Sequence, residues 1–173
     1  MKQNNIVLTG LMGSGKTTVG NLLAESIDGF SFVDTDDVIV ETMNMSINTI
    51  FEKYGEAKFR QIEKNVIFNL TEDENCIISL GGGAFEDDET RNFLLENSVV
   101  FYLKASVDTL YERIKNDNSR PLLNTVNPKQ KLADLLNLRE LHYNEAHYII
   151  DTNSLSPYNI VKEIQGRLNE RAD

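Results

Sequence analysis

Apolar residues along this chain fall into two kinds of segment that alternate. Short runs rich in β-branched and aromatic residues occur at Asn5 to Thr9, Phe30 to Val33, Cys76 to Leu80, Val99 to Leu103 and Tyr148 to Ile150. Runs this short and continuous predict buried strands. Between them the apolar positions recur at helical spacing, which predicts helices over about residues 16–27, 36–43, 46–54, 57–71, 87–96, 106–116, 128–145 and 157–171. Ser106 reads as a helix cap, and Asn127-Pro128 as a cap followed by proline in the first turn. Strands alternating with helices predict the α/β class: a five-stranded parallel sheet between two helical layers, joined by right-handed crossovers. With no internal repeat or linker, residues 1–173 are expected to form one domain. The long, mostly helical stretch between the second and third strands, about residues 34–62, is expected to be an insert that carries substrate contacts.

One loop in this pattern carries chemistry. Gly10 to Thr17 read GLMGSGKT, a complete match to G-x-x-x-x-G-K-[ST], placed after the strand Ile6-Val7-Leu8 and before a helical run from Thr18 to Ala24. Strand, glycine-rich loop and helix in that order make a phosphate-binding loop. The glycines let successive N–H groups point into one concavity, and the helix adds its positive N-terminal end. Lys16 is expected at the β- and γ-phosphates and the Thr17 hydroxyl on Mg²⁺, with Gly13, Ser14, Gly15 and Thr18 completing the nucleotide contacts. The alternative, a glycine turn beside an ordinary surface lysine, leaves the flanking strand and helix unexplained.

Composition narrows the partners. The formal net charge is −10, which argues against a general nucleic-acid binder. An acidic chain that binds anions must build its positive potential locally, so clustered arginines gain meaning. The single cysteine, Cys76, excludes an internal disulfide and sits in a predicted buried strand, where it reads as packing. The N-terminus offers no apolar stretch long enough for a signal peptide or membrane span, so a cytoplasmic protein is expected.

Ligands of open α/β sheets gather beyond the carboxyl ends of the strands. Asp34-Thr35-Asp36-Asp37 follows the second strand there, and Gly81-Gly82-Gly83 follows the third. Three carboxylates in four residues repel each other unless a cation or a proton donor stands nearby. For Asp37 a helix-start acid suffices; Asp34 and Asp36, at the sheet edge, point to function. The glycines are either a tight turn or a place where a ligand approaches the backbone. Arg60 and Glu63 lie three apart on a predicted helix, which is compatible with an ordinary surface pair. Arg139 is more telling: it occupies the missing place in the apolar stripe Leu132, Leu135, Leu136, Tyr143, Ala146. An inward-facing arginine needs an anion, and a carboxylate suits its paired donors. Arg120, in the turn-rich stretch Asn116 to Pro121, is either solvated or part of a lid over the phosphates.

These residues together resemble the shikimate kinases, small phosphate-loop kinases of the nucleoside-monophosphate-kinase type. The likeness runs nearly the whole length: GLMGSGKTTVG at 10–20, DTDD at 34–37, GEAKFRQIE at 55–63, LGGG at 80–83, SRPLL at 119–123 and LRELHY at 138–143. The phosphate loop is shared by very many proteins; the other motifs in this order are far more specific. The resemblance implies transfer of the ATP γ-phosphate to the 3-hydroxyl of shikimate, on the route to aromatic amino acids. By motif, Lys16, Asp36 and Arg120 would be catalytic, with Asp36 holding the acceptor hydroxyl. Thr17 and Asp34 would serve Mg²⁺, and Arg60 and Arg139 would clamp the substrate carboxylate. Gly81, Gly82 and Gly83 would offer backbone to the ring, with Phe51 and Phe59 as apolar ring contacts. Arg113 would lie beside adenine, with Leu155 and Pro157 on the strand-to-helix turn. Leu155 stands where some members carry arginine, so only apolar contact is expected from it. A lid over about residues 113–126 and a monomer working on small molecules, with no nucleic acid and no membrane, complete the expectation. Gluconate kinases, nucleoside-monophosphate kinases and a non-catalytic nucleotide-binding module are the alternatives.

Overall fold

The computed structural model describes residues 5–116 and 125–172. Its elements, in chain order, are β1 Ile6–Thr9, α1 Lys16–Ser26, β2 Ser31–Asp34, α2 Thr35–Met43, α3 Ile47–Leu70, β3 Cys76–Ser79, a 3-10 turn Ala84–Glu86, α4 Asp88–Asn97, β4 Val99–Lys104, α5 Val107–Ile114, α6 Pro128–Tyr143, β5 Tyr148–Asp151 and α7 Pro157–Ala172. The strands form one sheet in the order β2-β3-β1-β4-β5, and every pairing is parallel. This is the α/β/α architecture that the alternation of segments predicts.

The two-residue period of a strand explains why both sheet faces are covered. Val7, Ile78, Val100 and Tyr102 point to one face and pack against Leu94, Leu110, Leu132 and Tyr143. Ile6, Leu8, Ile77, Phe101 and Leu103 point to the other and pack against Val19 and Leu23 of α1 and Ile160 and Ile164 of α7. The pairing Ile6↔Ile77↔Phe32 and Val7↔Ile78↔Val33 keeps like faces aligned across the strands. Cys76 is 4% exposed within the first of these cores, as packing requires. A third cluster, Ile39, Ile50, Phe59 and Val66, belongs to α2 and α3 alone. The helical stretch after β2 therefore carries a small core of its own.

Element boundaries differ from expectation where one residue does two jobs. Asp34 pairs with Ser79 as the last residue of β2, and its Oδ1 also accepts the Asp36 N–H at 3.1 Å, capping α2. Strand and helix thus abut with no loop, and α2 begins at Thr35. The two helices expected over 46–54 and 57–71 appear as α3, broken at Gly55, whose φ of 78° and ψ of 170° are non-helical. Ser106 accepts the Thr109 N–H and Asn127 the Gln130 N–H, as read from the sequence. Arg120 and the centre of the expected lid, 117–124, lie outside the described residues. Among the described residues, no helix is long and apolar enough to cross a membrane.

Gly20, inside α1, would overlap the Phe32 ring of β2 if it carried a Cβ. Mid-helix glycine costs about 0.5–1 kcal/mol relative to alanine, so close helix–sheet packing explains its presence. Gly20→Ala should lower unfolding stability by about 1–3 kcal/mol despite its better helix propensity, as overpacking does. Thermal melts of the two proteins check this; an equal or higher melting temperature in the variant contradicts it.

Candidate active site

At the carboxyl end of β1 the chain turns through Gly10, Gly13 and Gly15, with φ of 142°, 82° and 96°. A Cβ on Gly13 would be strained by that φ and would meet Ile114 Cγ2 at 2.8 Å. Lys16 Nζ folds back along the loop and donates to the Gly10 carbonyl at 2.7 Å and the Leu11 carbonyl at 3.2 Å. The Thr17 hydroxyl donates to Asp34 Oδ2 at 3.0 Å, so the two expected metal ligands already meet. The hydroxyls of Ser14 and Ser79 are buried with no hydrogen-bond partner among the described residues. Both border a cavity of about 540 Å³ that runs from Gly13–Thr18 past Asp34 and Asp36 to Gly81 and Gly82. Its far end is walled by Arg113, Leu155 and Pro157. Every described residue expected at the nucleotide thus borders one cavity, and Asp36 borders it too.

Arg113 reaches across to this end from α5. It donates to the Gly13 carbonyl at 3.3 Å and to the Thr152 carbonyl at 2.7 Å, joining the phosphate loop to the turn after β5. Leu155 is partly buried against the core beneath α1 and α7 and offers the apolar wall expected of it.

The glycine run explains the rest of the site. A carbon added at Gly81 would lie 2.8 Å from Asp36 Oδ1 and 2.7 Å from Glu63 Oε1. At Gly82 it would lie 3.4 Å from Arg139 Nη1, and at Gly83 only 2.6 Å from Arg60 Nη2. Three successive bare α-carbons therefore receive four charged side chains, two acids at the first and one arginine at each of the others. Burial, and next the charge of Asp34, push the Asp36 carboxyl above its ordinary range, while Lys16 pulls the other way. Glu63 is pushed up by burial and pulled down by Arg60, whose Nη1 donates to Glu63 Oε2 at 2.6 Å. Burial opposes the Arg60 charge, but Glu63 and Glu56 outweigh it and hold the guanidinium above its ordinary value. Arg139 Nη1 donates to the Gly82 carbonyl at 3.1 Å, yet its Nε is buried with no partner among the described residues.

Arg60 and Glu63 are not the surface pair that their spacing allows, because the Glu63 side chain is only 4% exposed. Three contributors escaped the sequence reading. Glu63 was visible only as a helix neighbour of Arg60. Thr35, fully buried, accepts the Gly81 N–H at 3.0 Å and ties the acidic motif to the glycine run. Tyr143 looked like stripe packing, but its hydroxyl donates to the Gly82 carbonyl. Phe51 and Phe59 stack on each other with centroids 4.5 Å apart, and the Arg60 guanidinium lies 5.3 Å from the Phe59 ring centre. These two rings, with Arg60 and Arg139, stand beyond the walls of that cavity and are linked to it through the glycine run.

A sequence model of the family described as "Shikimate kinase" matches residues 12–169. The shikimate kinase of Thermodesulfovibrio yellowstonii is 42% identical over 160 residues, 92% of each chain. That of Caldicellulosiruptor saccharolyticus is 44% identical over 153 residues, 88% of each chain. The shikimate kinase of Acinetobacter baumannii, solved in complex with shikimate, superposes with a TM-score of 0.92 at 40% identity, covering 98% of this chain and 94% of that one. A gluconokinase from Sinorhizobium meliloti gives a TM-score of 0.61 at 18% identity, a likeness of fold alone. The phosphate loop, the acid at its mouth and the arginine-bearing glycine run thus sit in a chain that belongs to the shikimate kinase family.

Proposed function

We propose that this chain moves the γ-phosphate of ATP to the 3-hydroxyl of shikimate, giving ADP and shikimate 3-phosphate, with Asp36 orienting the hydroxyl and Arg60 and Arg139 holding the carboxylate. One observation supports this reading above the others. Asp36 borders the same cavity as Lys16 and Thr17, while Arg139 beside it keeps a buried donor, Nε, with no partner among the described residues. A buried unpaired donor costs about 1–3 kcal/mol, which a bound carboxylate would offset. The expected substrate carries both required groups, a carboxylate for the arginines and an alcohol for Asp36.

Phosphoryl transfer asks a protein mainly for alignment and for positive charge on the equatorial oxygens. Lys16 would leave the loop carbonyls for the β- and γ-phosphates. Asp36 accepts the proton side of the alcohol and aims its oxygen at the phosphorus. The Thr17 hydroxyl and Asp34 carboxylate, already 3.0 Å apart, are hard oxygen donors suited to Mg²⁺. When bound, that ion would neutralise charge shared by the β- and γ-phosphates. Arg113 and Pro157 would enclose the base. Arg120 is assigned to the phosphates by motif, as part of a lid over about 113–126 that keeps water from the transfer. We read the enzyme as a monomer acting on small molecules and place it in the cytoplasm.

An ADP-release assay offering shikimate, gluconate and a nucleoside monophosphate tests the substrate directly. Turnover with shikimate alone is expected; preference for either other acceptor would defeat the reading. Arg139→Ala should weaken shikimate by about 2 kcal/mol or more, roughly 30-fold in KM, with ATP affected little. Unaltered shikimate affinity in that variant removes Arg139 from the clamp.

Asp36→Asn should separate activity from stability. A carboxyl raised above its ordinary 3.8 favours the fold in its protonated form. That contribution is complete below the unfolded value and is lost as pH rises through the folded one. Above the folded value the ionised Asp36 therefore weighs against the fold, and the amide should raise the melting temperature while lowering kcat by about 10²–10⁴-fold. Melts at pH 7 beside steady-state rates decide it; a less stable or fully active variant counts against the assignment.

A further inference from the structure

Six backbone groups belong to Gly81, Gly82 and Gly83, and the fold uses four of them. The Gly81 N–H goes to Thr35 Oγ1, the Gly81 carbonyl accepts from Ala84 N at 3.1 Å, and the Gly83 carbonyl accepts from Glu86 N at 3.2 Å. The Gly82 carbonyl is taken twice, by Arg139 Nη1 and by the Tyr143 hydroxyl. Among the described residues nothing in the protein accepts the N–H of Gly82 or of Gly83. These two donors stand beside the arginines, and Gly82 itself borders the cavity.

We infer that Tyr143 is a positioning residue for the carboxylate-bearing alcohol: its hydroxyl fixes the Gly82 carbonyl against α6 and so sets the direction of the Gly82–Gly83 peptide N–H. In a trans peptide the N–H points opposite to the C=O, and among the described residues there is no cis bond. Drawing the carbonyl onto α6 therefore turns the Gly83 N–H away from α6. Two adjacent glycines have no Cβ to restrict their torsions, so the orientation of this peptide depends on what holds its carbonyl. The tyrosine is built to hold still. It is fully buried, and its ring packs on Tyr102 with centroids 5.0 Å apart. Burial pushes its hydroxyl up to about 12, so it remains a donor at working pH. Sharing one acceptor also ties Arg139 Nη1 in place, leaving Nε for the carboxylate. This role rests on the substrate reading given above.

Tyr102 supplies an internal control. It is equally buried, at 1% exposure, but its hydroxyl has no partner among the described residues. Tyr143→Phe and Tyr102→Phe each remove one buried hydroxyl and keep the ring. The test is steady-state kinetics with each substrate varied, calorimetric shikimate binding, and thermal melts, on both variants and the unmutated protein. Tyr143→Phe should raise the shikimate KM and Kd about tenfold, the effect of losing one hydrogen bond, while the ATP KM stays within about twofold. Tyr102→Phe should leave both constants near their starting values. An unchanged shikimate KM in Tyr143→Phe overturns the role, as does an equal rise for both substrates or an equal effect from Tyr102→Phe. Absence of shikimate turnover in the unmutated protein overturns the substrate reading and this role with it. An active unmutated protein beside an unaffected Tyr143→Phe overturns the role alone.

Discussion

Charged side chains from three helices converge on a stretch of main chain that has no side chains to keep them away. Asp36 from α2, Glu63 and Arg60 from α3, and Arg139 from α6 all reach the α-carbons of Gly81 to Gly83. A methyl group at Gly83 would fall 2.6 Å from a guanidinium nitrogen, so the Arg60 head would have to shift to make room for it. The run acts as a floor against which acids and arginines are brought within a few ångströms of each other. Opposite charges this close favour each other's ionised form, and burial opposes both. That competition is why Asp36 and Glu63 are pushed up while Arg60 keeps its charge.

The sheet makes this convergence possible. All five strands run in the same direction, so the segments that follow β1, β2 and β3 emerge at one edge. The phosphate loop, the acidic motif and the glycine run follow those three strands, and the pairing β2-β3-β1 sets them side by side. Thr35 then fastens the acidic motif to Gly81, and Tyr143 with Arg139 fastens Gly82 to α6. Arg91, nearly buried, extends the same fastening. It donates to the Phe85 carbonyl at 3.1 Å and to Glu145 at 2.9 Å, joining the turn after the glycines to the chain beyond α6.

Charge is arranged as locally as an acidic protein requires. The chain carries a formal −10, yet Lys16, Arg60, Arg113 and Arg139 gather around the site. Cations beside a low-dielectric sheet edge are screened little, so an anionic ligand meets guanidinium and ammonium groups there despite the overall sign. The far end of the cavity is built differently, from one arginine and the apolar Leu155 and Pro157.

The one-dimensional pattern determined the sheet, the helices, the phosphate loop and the residue types the site would need. This worked because strand and helix periods, caps and glycine-dependent turns are local properties of the backbone. Arg139 could be singled out for the same reason, as a charge where helical spacing demanded an apolar residue. What the spacing left open was which surface a side chain meets. Arg60 and Glu63 fitted an exposed helix pair equally well until packing buried Glu63 beside Asp36. Tyr143 fitted a core stripe equally well until its hydroxyl was found on a carbonyl 61 residues away. Such contacts join segments distant in the chain, and only the folded sheet, by fixing which loops are neighbours, decides them.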